Sequence, residues 1–138
     1  MGAWGSGIFD NDGALDYVGD VVSESGLSQI EATLDHILSV KQEYLEAPDS
    51  ENALVAAEIL ARLQGHGNGE ESTDELEQWI EKTKILPTRD LLEKARKSVI
   101  RILTEPSELL ELWNDAGKDG NEWKACVENL ASRLQLQH

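Results

Sequence analysis

The sequence predicts an all-α fold: an irregular bundle of six or seven helices behind a glycine-rich amino-terminal strap. Three observations predict it. Apolar residues recur at three- and four-residue spacing along most of the chain, as on a helix with one buried face. Capping residues and prolines fall between those stretches. No stretch rich in β-branched residues alternates with the two-residue period of a strand. The length, 138 residues, suits a single helical domain spanning 1–138.

The elements follow in order. Met1 to Phe9 interleaves Gly2, Gly5 and Gly7 with Trp4, Ile8 and Phe9. Glycines permit tight backbone, so the large side chains can turn inward and make an ordered strap. Asp10, Asn11 and Asp12 then offer N-caps for a helix carrying Leu15, Tyr17, Val18, Val21 and Val22, ended by Ser25-Gly26. A second helix follows from Ile30, Leu34, Ile37, Leu38, Tyr44 and Leu45, and Pro48 stops it, because the residue before a proline avoids helical angles. Ser50 caps an alanine-rich helix holding Leu54, Ile59, Leu60 and Leu63. Gly65 to Gly69 is a flexible loop between two halves. Ser72 and Glu75 have capping-box spacing ahead of Leu76, Trp79, Ile80 and Thr83.

Pro87-Thr88 opens a longer helix with Leu91, Leu92, Ala95, Val99, Ile102 and Leu103 inward; Lys94, Lys97 and Arg101 form an exposed basic face. Pro106-Ser107 opens a helix with Leu109, Leu110 and Trp113. Gly117 to Gly120 turns the chain into a last helix that buries Trp123, Val127, Leu130 and Leu134.

The opening Met-Gly-Ala-Trp-Gly-x-Gly-x-Phe-Asp-Asn-Asp, followed by Ala14, Asp16 and Tyr17, resembles a bacterial family known as domain of unknown function 4259. Ala56-Ala57-Glu58-Ile59 running to Gly65 is similar to it too, as is Glu108 to Trp113 followed by Trp123, Leu130, Arg133 and Leu134. The opening motif is the specific one; the later stretches are ordinary helix patterns. Tyr17 departs from the tryptophan more usual there. The resemblance implies a small bacterial helical protein with no agreed activity.

Charge is the strongest functional feature. The net charge is −15, and it is lopsided: residues 1–81 hold 18 acids against Lys41 and Arg62, whereas residues 82–101 hold seven bases against Asp90 and Glu93. Such a field repels nucleic acid and anionic membranes and attracts basic partners. No cofactor motif is present. Gly5-Ser6-Gly7 lacks the strand and the Lys-Ser/Thr of a phosphate loop, and Met1-Gly2 with Ser6 matches a myristoylation pattern only by coincidence in a bacterial protein. The longest apolar run, Ala53 to Ala57, is far short of the roughly 20 residues of a membrane helix. One cysteine, Cys126, and no visible signal peptide suit the cytoplasm.

Individual candidates are mostly structural. Asp10 and Asp12 begin like a calcium loop, but Ala14 and Leu15 fall where a ligand and a glycine are needed. Asp12, Asp16 and Asp20 share a helix face and are read as caps and solvated acids; no metal site is expected. Glu58 lies among alanines and pairs with Arg62 one turn on, or else carries a raised pKa and serves as an acid or base. His36 has no helical histidine partner for zinc, and Cys126 falls among Trp123, Val127 and Leu130 as a core residue. No catalytic constellation emerges, which argues against an enzyme.

The function this favours is a protein-binding module, of the inhibitor or immunity type, neutralising a basic toxin such as a nuclease. Asp16, Asp20, Glu24 and Asp35 are its candidate partner-binding residues. A self-associating structural protein comes second, a homodimer in which Lys94, Lys97 and Arg101 meet the acidic half of another copy. A metal-assisted hydrolase using the aspartates from Asp12 to Asp20 comes third.

Overall fold

A computed structural model of the chain describes residues 12–23, 26–65 and 74–134. The strap, the Ser25 end of the first helix, the glycine loop and the Ser72 cap lie outside the described residues. Among those described there are seven helices: α1 (Asp12–Val22), α2 (Ser28–Val40), α3 (Ala47–Leu63), α4 (Asp74–Thr83), α5 (Arg89–Ile102), α6 (Glu108–Asn114) and α7 (Lys118–Arg133). The fold is an irregular all-α bundle, as the periodicity indicated.

Helix α3 is the axis. It packs against α1, α2, α5, α6 and α7. From Ala53 to Ala61 every residue is buried, Glu58 included. A helix apolar all round can sit only inside other helices, and Ala53, Ala56, Ala57 and Ala61 let them approach closely. Around it Ile30, Leu34, Ile37, Leu92, Ile102 and Leu130 are fully or almost fully enclosed. Each such side chain contributes about 1.5–3 kcal/mol relative to exposure. Ser98 on α5 is buried too; its hydroxyl donates to the Lys94 carbonyl, 2.8 Å, and so brings no unsatisfied group into the core.

Local capping worked as expected at two places. The Thr88 hydroxyl accepts from the Leu91 amide, 3.2 Å, and Ser107 caps α6. Gly120, however, lies inside α7, not in a turn; a Cβ there would run into the Trp113 carbonyl. That close approach lets Trp113 and Trp123 stack, with ring centroids 5.8 Å apart and planes within 5°.

The chain departs most from its helical periodicity at residues 41–50. The helical period continues through Tyr44 and Leu45, yet α2 ends at Val40. Lys41 adopts φ 55°, a region uncomfortable for a residue with a Cβ. Arg101 holds the break: its guanidinium donates to the carbonyls of Lys41 and Glu43, both 2.7 Å, Thr104, 2.7 Å, and Pro106, 3.0 Å. Leu45 is then buried beside Ser107, its amide bonded to the Pro106 carbonyl, 3.2 Å. Tyr44 is left about half exposed, and its phenol is pushed up to about 12 by a hydrogen bond to Glu111 and, less, by burial.

Pro48 does not stop a helix; it sits in the first turn of α3, where a missing N–H breaks no bond. Ser50 is consequently no cap. It is buried inside the helix and its hydroxyl donates to the Glu46 carbonyl, 3.2 Å. On α1 Ala14, Tyr17, Val18 and Val21 are buried, while Leu15 is partly exposed.

Candidate functional site

Two groups of charged side chains flank α3, and they differ in whether the charge is answered. The first surrounds Glu58, which has no solvent exposure. Its carboxylate accepts from Arg62 Nε, 3.1 Å, one turn along α3, and from Arg133 of α7 through Nη1, 2.9 Å, and Nη2, 2.7 Å. Arg62 also reaches Glu77 of α4, 3.0 Å, and Arg133 reaches the Asn129 side chain, 2.7 Å. The pairing reading of Glu58 holds. The chemistry is that of a clamp joining α3, α4 and α7: a buried carboxylate gripped on two sides has no lone pair aimed at solvent.

The second group lies at the start of α3. Asp16, Asp20, Gly13 and Tyr17 of α1 face Pro48, Glu51 and Asn52 of α3 across a cleft of about 280 Å³. Asp16 and Asp20 are exposed, one helical turn apart, and neither has an ion-pair partner among the described residues. Burial raises the Glu51 carboxyl above its ordinary value. Three carboxylates on one concavity make a strongly negative recess fit for a cationic group.

A second cleft of the same size adjoins the first. Gln29, Ala32, Thr33 and His36 of α2 and Asp49 and Asn52 of α3 line it. His36 Nε2 lies 3.1 Å from the Asp49 carboxylate, a link between α2 and α3 that sequence spacing did not reveal.

The residues expected to form one surface are thus divided. Asp16 and Asp20 meet at the cleft. Asp35 does not join them: it pairs with Lys94 of α5, 3.0 Å, which also pairs with Glu31, 3.3 Å. These hydrogen bonds, to Asp35 first, raise the Lys94 ammonium above its ordinary value. Glu24 lies outside the described residues.

The basic face is divided as well. Lys94 is engaged with α2 and Arg101 with backbone carbonyls. Lys97 is exposed and pairs only loosely with Glu93, 3.6 Å, on its own helix. Glu51 and Asn52 were missed, because their place depends on how α1 packs against α3 and no local pattern records that.

His66 and His138 lie outside the described residues. Cys126 is half-buried against the core. Among the described residues no group of three or more His, Cys, Asp or Glu side chains could hold a metal ion, and no helix is long and apolar enough to cross a membrane.

Comparison with curated proteins and with solved structures finds no match. A family model does match: the one described as a domain of unknown function, DUF4259, aligns with residues 2–126. With a match over most of its length, the chain belongs to the DUF4259 family.

Proposed function

We propose that the protein is a binding module for a cationic protein, acting as an inhibitor or immunity-type partner that masks a basic surface such as the phosphate-binding cleft of a nuclease. The convergence of Asp16, Asp20 and Glu51 on one cleft supports this reading. An arginine or lysine entering that recess would exchange water for charge-assisted hydrogen bonds, each worth about 1.5–3 kcal/mol. The surrounding negative field would steer the approach and speed association.

The reading includes a bacterial, cytoplasmic setting, consistent with a single cysteine. Self-association through the basic face has less in its favour, since Lys94 and Arg101 are already engaged within the chain. No observation favours the metal-assisted hydrolase.

Salt dependence tests the proposal. The full chain, immobilised, is offered lysate of its source cell at about 50 mM and about 500 mM salt, where the screening length falls severalfold. A basic protein held at low salt and released at high salt is the expected result. A partner held equally at both would contradict electrostatic docking.

A further inference from the structure

Asn52 stands where the two clefts meet. It lines the carboxylate cleft beside Asp16, Asp20 and Glu51, and it lines the neighbouring one beside Gln29, Thr33, His36 and Asp49. Between them a hydrogen bond, 2.8 Å, joins Tyr17 of one wall to Thr33 of the other. Asn52 also differs from Ser50 and Glu58 of the same helix. Ser50 donates to a carbonyl and Glu58 is gripped by two guanidinium groups. The half-buried Asn52 carboxamide meets no hydrogen-bonding group among the described residues. A carboxamide presents N–H donors and a carbonyl acceptor together, which is the complement of a peptide unit.

We infer that the two clefts form one groove, and that it takes an extended peptide segment of a basic protein. The main chain of that segment crosses the Tyr17–Thr33 hydrogen bond and pairs with the Asn52 carboxamide. An arginine or lysine side chain enters the recess of Asp16, Asp20 and Glu51, and the adjoining residue lies against Gln29 and His36. The inference rests on the cation-binding reading above and adds to it the form of the partner: a strand-like segment in place of a folded patch. Charge complementarity selects that occupant over an acidic or apolar one.

Amide-proton NMR of the full labelled chain at low salt tests this with two probes, N-acetylarginine amide and the capped pentapeptide Ala-Ala-Arg-Ala-Ala. The pentapeptide is expected to bind about tenfold more tightly, the scale of one or two added hydrogen bonds. It should shift amides of residues 29–36 as well as 13–20 and 48–52. Asn52→Ala, checked for folding by its melting curve, should weaken the pentapeptide about tenfold, removing its advantage over the single residue.

A pentapeptide no tighter than the single arginine would overturn the groove while leaving the cation recess standing. Tight pentapeptide binding indifferent to Asn52→Ala would overturn the main-chain pairing. No response at 13–20 and 48–52 to either probe would overturn the recess and the groove together.

Discussion

Glu51 and Glu58 lie on the same helix, seven residues and about 10 Å apart along nearly one face, yet they live in opposite circumstances. Glu58 is wholly enclosed and held by Arg62 and Arg133. Glu51 is half-buried on the cleft it shares with Asp16 and Asp20, and it has no ion pair among the described residues. The difference separates architecture from opportunity. A buried carboxylate is tolerated when guanidinium groups replace its lost water. A cleft of carboxylates without such partners leaves its charge to solvent and is a place where a cation could bind.

The sharpest way to break this contrast is to remove the answered charge. Glu58→Gln leaves two nearly buried guanidinium groups facing a neutral amide. Urea denaturation should show a loss of about 3–5 kcal/mol, the scale of a broken buried pair. A loss below 1 kcal/mol would mean that the clamp is not structural.

Next in size is Arg101, another cation used internally. Arg101→Lys keeps the charge but cannot reach four carbonyls in a fixed fork. A loss of about 2 kcal/mol is expected, with faster hydrogen exchange at the Leu45 and Glu108 amides than in the core of α3. Uniform exchange across both regions would contradict the local role.

Smallest is the effect at Glu51, on the cleft. The Glu51 carboxyl is raised in the folded chain, so folding favours its protonated form. The penalty is absent below the ordinary value of 4.5, grows as pH rises above it and is complete at neutrality. Glu51→Gln should therefore melt slightly higher than the natural chain at pH 7. The gap should close below pH 4. A gap that widens in acid would reverse the sign of this account.

What the sequence made legible was whatever chain neighbours decide. Thr88 and Ser107 cap because their hydroxyls reach amides three residues on, and the Glu58–Arg62 pair follows from one-turn spacing. Arg133 joins that pair across 75 residues, and nothing near Glu58 announces it. The end of α2 misled for the same reason. Tyr44 and Leu45 fit the helical period, but Arg101, some 60 residues away, captures the carbonyls that a longer helix would have used. Pro48 was ambiguous in itself, since a proline ends one helix as readily as it begins another.

The acidic half of the chain, legible as a count, was not legible as a surface. Only the packing of α1 on α3 brings Asp16 and Asp20 to Glu51, while Asp35 is paired away by Lys94.

The most direct measurement separates the cleft from mere acidity. Two variants with equal charge are compared in the same capture experiment at low salt. One carries Asp16→Asn, Asp20→Asn and Glu51→Gln; the other carries Asp74→Asn, Glu75→Gln and Glu81→Gln on the exposed side of α4. The first variant should lose the basic partner and the second should retain it. Equal loss from both would show that overall charge, and not the recess between α1 and α3, holds the partner.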